Sequence, residues 1–375
     1  MRLSHSHSQI LTIIIILSAL LPGLFLFGDS EYVTNSFSYS SFIPSPLATS
    51  TKSPGAGLPK IATTTTLKFL FFGDLMLDRH VGEKLAGKNI DYLLGDLDRE
   101  GNRIWSDLDL VGANLEGAVT DGGAHYSPAM AYDFAFTPER INELKQYGFN
   151  FFNLANNHIS DQGDKGLRET RNNLHKLEFN FSGDVDAAVS QESLKIISIK
   201  EKKIAMLGLS MVYHNFDLEE AKKLVDEAKK GSDLVIINIH WGTEYQHQFS
   251  RQQQSIGRAL IDSGADIIIG HHPHVVQGME IYQGKPVFYS LGNFIFDQYF
   301  SADTQQGLAV SLNIGADKTS VFLFPLQSKG AAVSLMGERE KTKFLEKYAE
   351  WSAADDALKT AILEQKIEIS GGLGK

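Results

Sequence analysis

Apolar positions along this chain fall into short runs that end abruptly in polar residues. LKFLFF (67–72) stops at Gly73-Asp74, DLVGANLE (109–116) at Glu116, and FNFFNLANNH (149–158) at Asn156, Asn157 and His158. KIAMLGLS (203–210), LVIINIHWG (234–242) and DIIIGHHPH (266–274) follow. Each run has strand length and little polar alternation, which predicts strands buried on both faces. Between them, 164–177, 217–230 and 250–263 read as helices; Leu218, Ala221, Leu224 and Val225, for example, recur at helical spacing. Apolar strands separated by amphipathic helices predict an α/β fold with largely parallel strands. Segments 278–290 and 308–336 predict hairpin strands, with Gly284 in a turn. Residues 337–367 are mostly polar and helix-forming, so 337–375 is expected to be a helical surface appendage to a body spanning 67–336.

Two stretches before residue 67 depart from this pattern. Ile10 to Phe27 holds no charge and is apolar on every side, near the lower length limit for a bilayer span. Arg2 precedes it and Asp29 and Glu31 follow, so the positive-inside rule leaves everything after Phe27 outside the cell membrane. A cleaved signal peptide is the competing reading of residues 1–27; the lack of an A-x-A site after the run favours an uncleaved, single-pass anchor. Residues 28–66 are rich in Ser, Thr and Pro, offer little to a core, and read as a flexible, partly extended linker.

Composition narrows the chemistry. The chain has 375 residues, 43% of them hydrophobic, ample for a full core. A net charge of −10 gives no electrostatic footprint for nucleic acid. With no cysteine there is no thiolate nucleophile and no Cys-based zinc site, so any metal must be held by His, Asp, Glu or Asn. No G-x-S-x-G elbow, P-loop or H-E-x-x-H is present. His5 and His7, ahead of the apolar run, read as incidental.

The polar residues collect where the strands stop: Asp74, Asn114 and Glu116, Asn156 to His158, His240, and His271, His272 and His274. In open α/β sheets ligands bind at the carboxyl ends of strands. Taken singly, an Asp there is usually a turn or cap residue, a His a hydrogen-bonded half-buried one, and Asn-Asn a turn. Together they point to a metal: imidazoles with carboxylates and an Asn carbonyl suit Mn, Fe or Zn. Pro273 stiffens the His272–His274 loop, where a small backbone adjustment would turn both rings toward one centre.

The strings FFGDLMLD, NLEGAVT, NLANNHISDQG, IHWGTEY, GHHPHVVQG and YSLGNFIFD, in that order over about residues 67–300, resemble the motif series of the CapA-type poly-gamma-glutamate capsule synthesis proteins. That family is similar to the calcineurin-like metallophosphoesterases. The resemblance implies a β-sandwich flanked by helices, with two divalent metal ions at the strand ends. Asp74 would bind one metal, Glu116 would bridge both, Asn157, His240 and His272 would hold the second, and His274 would return to the first. His158 would be the proton donor to a leaving group. Asn114, Glu244, His271 and Asn293 would stand in the surrounding shell or face substrate, and Asp297 would face substrate.

The chain also departs from the wider phosphoesterase pattern. Asp-x-His is replaced by Asp74-Leu75-Met76, and Met is a poor ligand for such metals. The first metal position has therefore lost a ligand and is expected to bind more weakly; Asn114 is a candidate to fill the gap. Asp78 reads as a helix cap, Asp161 and Gly163 as shapers of the loop after His158, and Trp241 and Tyr245 as core or rim aromatics. The expected partners are the membrane, through the N-terminal helix, an anionic polymer or phosphate-ester substrate, and a capsule synthesis complex. Three functions stay open: a metal-dependent hydrolase in polymer synthesis or export, a phosphoesterase acting on envelope phosphate esters, and a non-catalytic metal-stabilised binding module.

Overall fold

A computed structural model of the protein describes residues 66–97, 103–128 and 132–373. The expected anchor at 1–27, and the linker up to residue 65, lie outside them. Among the described residues, no helix is long and apolar enough to cross a membrane.

Strand parity builds two facing sheets. The larger runs β16 (Ala332–Leu335), β15 (Lys318–Lys329), β14 (Gln306–Ile314), β1 (Leu67–Leu75), β2 (Leu110–Leu115), β5 (Phe149–Asn153), β6 (Asn180–Ser182); β13 (Asn293–Ile295) pairs with β1 and β17 (Lys366–Ser370) with β15. The smaller runs β11 (Val276–Tyr282), β12 (Lys285–Leu291), β10 (Ile267–His271), β9 (Leu234–His240), β8 (Lys202–Ser210), β7 (Leu194–Ile199). Strands β3 (Ala118–Val119) and β4 (Ala135–Phe136) form a small separate pair. The apolar runs at the centre pair in parallel, β1–β2–β5–β6 in one sheet and β8–β9–β10–β12 in the other. Antiparallel strands flank them, including the β11–β12 hairpin with Gly284 at φ 72° in its turn.

Leu67, Phe69 and Phe71 of β1 and Leu234 and Ile236 of β9 turn into one core between the sheets. The alternate residues turn outward: Leu70 and Phe72 into a second core, and Val235, Ile237 and Ile239 into a third. Burial on both faces is why these strands read as continuous apolar runs. Helices cover the outer faces. Helix α4 (Gly163–Lys176) joins α1 (Arg79–Lys84), α2 (Asp91–Leu94) and α3 (Pro138–Glu143) in the second core, while α5 (Leu218–Gly231) and α6 (Arg251–Asp262) pack in the third. Their ends obey local chemistry. Asp217 caps α5 by accepting from Glu220 N–H, Glu219 and Glu220 lie in its first turn and Lys229 and Lys230 in its last, and Ser250 and Gln253 form a capping box on α6. The β-sandwich flanked by helices implied by the resemblance is the architecture found.

The C-terminal segment differs from expectation. Residues 337–373 are part of the body, not a surface appendage. Helix α7 (Glu338–Trp351) places Phe344, Leu345 and Tyr348 in the core between the sheets, α8 (Asp356–Leu363) adds Ile362, and β17 zips onto β15. The segment reads as polar because its apolar stripe is only a few residues wide, and that stripe packs into the core between the sheets.

Candidate metal centre

The strand parity that fills the inter-sheet core continues to the carboxyl ends, where the inward positions turn polar. Leu110 and Gly112 give way to Asn114, Phe151 to Asn153, Leu234 and Ile236 to Asn238 and His240, and Ile267 and Ile269 to His271. Strand β1 reaches Asp74 through a register shift after Phe71. A Cβ on Gly73 would lie 1.8 Å from the Gly292 carbonyl oxygen, so only glycine lets the two backbones cross, and Asp74 N–H donates to that same oxygen at 2.9 Å. Asp74, Asn114, Glu116, His240 and His271 are all fully buried.

Asn114 is the hub. Its Nδ2 lies 2.9 Å from Asp74 Oδ1, 3.2 Å from Glu116 Oε1 and 3.2 Å from His240 Nδ1, while its Oδ1 accepts from Asn153 at 2.8 Å and Asn156 at 3.3 Å. It therefore does not fill the gap left by Met76 as a metal ligand: its carbonyl is turned to other amides, and its amide group holds the two carboxylates. Met76 is buried, its sulfur accepting from Asp78 N–H at 3.0 Å.

Asn157 Oδ1 meets His240 Nε2 at 2.8 Å. The His272 ring lies 4.8 Å from His240 and 6.0 Å from His274. His272 and His274 take φ of 96° and 57°, a left-handed backbone that costs a non-glycine residue about 1–3 kcal/mol each and clusters at functional sites. This is the backbone adjustment expected around Pro273. His274 Nδ1 lies 3.3 Å from Asp74 Oδ2 and 2.9 Å from Asn293 Oδ1. Asn293 donates in turn to Gln298 and to Thr304 O, and so braces His274. His271 also lies beneath the centre, its Nδ1 3.6 Å from Asp74 and its Nε2 3.4 Å from Asn238 Oδ1.

Burial pushes His271 and His272 down to about 4, and burial with the neighbouring imidazoles puts His240 well below its usual range; these rings are neutral. Burial opposes a charge on His274 too, but the Glu116 carboxylate, then Asp74, hold it up at about 9. Burial and then repulsion from Asp74 raise Glu116 well above a normal carboxyl. For Asp74, burial acts upward, but the hydrogen bond and charge of His274 leave it lowered.

This donor set fits divalent cations. Two trios each bring their ligand atoms within 4.8 Å of one another: Asp74, Glu116 and His240, all buried, and Glu244, His272 and His274, with Glu244 half-buried. Glu116 Oε2 and Nδ1 of both His271 and His272 are buried with no hydrogen-bond partner, and a buried carboxylate oxygen in that condition is costly unless a cation meets it. The trios overlap: His274 of the second also lies 3.3 Å from Asp74 of the first, and the His240 and His272 rings lie 4.8 Å apart, so the expected ligands and Glu244 form one continuous cluster.

Above the trios opens a cleft of about 570 Å³, whose lining includes His158, Glu244 and His274. His158 Nδ1 pairs with Asp161 Oδ2 at 2.8 Å, and its ring tilts against Phe134 at 4.3 Å. Asp161 thus does more than shape its loop. Asp78 caps α1, accepting from Arg79 N–H at 2.7 Å, and Asp297 is tied to Arg79 and to His80 at 3.2 Å. Trp241 is core and Tyr245 is rim, as read. Sequence reasoning missed Arg79, the first residue of α1, and Tyr213, on the loop after β8, which line this cleft with no periodic signal to mark them.

The family described as "Bacterial capsule synthesis protein PGA_cap" matches residues 68–298. The "Capsule biosynthesis protein CapA" of Bacillus anthracis is 30% identical over 320 residues, 78% of this chain and 77% of that one. The "PGA biosynthesis protein CapA" of Bacillus subtilis strain 168 is 31% identical over 259 residues, 65% of this chain and 67% of that one. Among solved structures, a hypothetical protein from Thermus thermophilus is 12% identical with a TM-score of 0.43, covering 69% of this chain and 99% of that one.

Proposed function

This chain belongs to the family of bacterial capsule synthesis proteins matched by residues 68–298, and from that premise we propose that it is a metal-dependent hydrolase serving the synthesis or export of a capsule polymer at the outer face of the cell membrane. The observation that carries this reading is the stacking of two ligand trios directly beneath a cleft that also exposes a carboxylate-oriented histidine.

Asp74, Glu116, Asn157, His240, His272 and His274, with Glu244, would hold two divalent ions, and imidazole with carboxylate suits Mn, Fe or Zn. Bound there, such ions supply Lewis-acid polarisation of the scissile group and of the attacking water. The chain's own residues do the rest. Asn114 fixes both carboxylates, and Asn293 fixes His274, as second partners of metal ligands do. Asp161 holds Nδ1 of His158, which leaves Nε2 to hand a proton to the departing group. A purely metal-stabilised binding module has no use for that pair, so His158 and Asp161 favour an enzyme.

The full chain, purified without chelator, tests this reading by metal analysis alongside turnover on phosphomonoester, phosphodiester and polyglutamate substrates. Metal present with turnover on one class is expected, and a metal-free, folded protein would refute the centre. The anchored, outward-facing placement has its own test: external protease on spheroplasts should degrade the body beyond residue 60, and protection would overturn it.

A further inference from the structure

The cleft above the trios brings Arg79, His80, His158 and His274 into one wall with the carboxylates of Glu244 and Asp297. His274 and Glu244 belong to a trio, and His158 is held by Asp161. Arg79 and His80, both gathered on Asp297, have no part in that chemistry. Arg79 Nε donates to Asp297 Oδ2 at 3.0 Å and Nη2 donates to Oδ1, while His80 Nδ1 lies 3.2 Å from Oδ2. The Asp297 side chain is sealed at 1% exposure, but that of Arg79 keeps 28% and that of His80 67%.

An ordinary surface ion pair needs none of what surrounds this one. Arg79 is the first residue of α1, yet its φ is 49°, where a helix has about −63°. A left-handed backbone is unfavourable for a residue with a Cβ, and such residues cluster at ligand clamps and active sites. The guanidinium lies over the Phe134 ring, 4.8 Å from its centroid, and the same ring lies 4.3 Å from that of His158. Phe134 also meets Phe296 edge-on at 6.0 Å, and Phe296 lies 4.8 Å from His274, so a row of rings runs from Arg79 to the second trio. Asp297 engages Nε and Nη2, which leaves both hydrogens of Nη1 for a ligand.

A guanidinium fixed in this way is a receptor for carboxylate or phosphate oxygens. It stays charged, its donors form a rigid fork, and its side chain is ordered before the ligand arrives. We propose that Arg79 is a specificity-determining residue: with His80 it holds a carboxylate or phosphate on the unit next to the one whose bond lies at the trios, and Asp297 positions it. The substrate then carries anionic groups on adjoining units, and a neutral chain loses this contact. The inference rests on the hydrolase reading only for the place of the scissile bond.

Calorimetric titration of the full chain with manganese added tests it. The probes are a γ-linked glutamate trimer, the same trimer with every carboxylate amidated, and a phosphodiester-linked glycerol phosphate trimer. One of the two anionic trimers should bind at least about tenfold tighter than the amidated one, and which of them does so tells carboxylate from phosphate. Arg79→Gln should lower that preference by roughly ten- to a hundredfold, the scale of a charge-assisted hydrogen bond, and Arg79→Lys should restore part of it. Asp297→Asn should lower it less. Because Arg79→Gln strands a buried carboxylate, the double variant with Asp297→Asn is measured beside it; there the preference should stay lost while the melting temperature recovers. On any probe that is turned over, the loss should fall on KM more than on kcat. Metal content should not change, because neither residue supplies a trio atom. An unchanged preference in Arg79→Gln and in the double variant would overturn the proposal, as would equal binding of all three trimers by the parent. Either result with metal and turnover intact sinks this inference alone; a folded protein that binds no metal yet keeps an Arg79-dependent preference sinks the hydrolase reading alone.

Discussion

His158 Nδ1 lies 2.8 Å from Oδ2 of Asp161, and that carboxylate also accepts from Phe134 N–H at 3.1 Å. The pair is anchored to the cleft wall independently of the trios. His158→Ala should therefore keep its metal content and lower turnover by roughly 10²–10⁴-fold, the span of a positioned proton donor. Asp161→Asn should give a smaller loss, since the imidazole stays but its orientation is no longer fixed by a charge. Metal analysis beside steady-state kinetics decides it: loss of metal in His158→Ala would place the residue among the ligands.

His240→Ala should behave in the opposite way. The ring is fully buried and touches Asn157, Asn114 and Glu116. Its removal takes away a ligand and leaves buried polar groups without a partner, at about 1–3 kcal/mol each. Metal content, melting temperature and turnover should fall together, which calorimetry and metal analysis on one sample can show.

The two trios differ in exposure, and that sets an order of release. Asp74, Glu116 and His240 are sealed, whereas Glu244 is half-buried at the cleft. Gentle chelation should remove about one equivalent quickly and the rest slowly, and Glu244→Gln should abolish the fast one. Simultaneous release of two equivalents, followed by atomic emission during dialysis, would contradict this ranking.

Gly208 on β8 abuts Asn153 of β5 and Ser182 of β6 in the other sheet. A Cβ there would fall 2.5 Å from Asn153 Oδ1 and 2.6 Å from the Ser182 carbonyl oxygen. Asn153 can give way, but backbone cannot. Gly208→Ala should cost about 1–3 kcal/mol in denaturant unfolding. Because Asn153 donates to Asn114, it should also loosen the carboxylates and lower metal affinity. A variant as stable as the parent would show that the sheets can part there.

The C-terminal helix is a structural element of the sandwich. Phe344→Ala empties a buried position in the inter-sheet core and should cost about 3–5 kcal/mol. Deletion of the segment after Met336 should abolish cooperative unfolding altogether. A folded truncation, seen by circular dichroism, would restore the appendage reading.

The sequence by itself settled whatever depends on near neighbours. Period-two strands that are apolar on both faces, capped helices such as 218–231 and the turn at Gly284 are local patterns, and the polar residues at strand ends follow from the order of the chain. Which of those residues meet was decided by register and by the pairing of two sheets. The register shift before Asp74 and the crossing of Gly73 with Gly292 bring that carboxylate against His274, about two hundred positions away. The orientation of the Asn114 amide, the joining of the ligands into one cluster and the place of Glu244 all depend on side chains converging from separate strands. Arg79 and Tyr213 came to notice only because segments distant in sequence share one cleft, and helix α7 because a narrow apolar stripe acquires meaning only against the core it packs into.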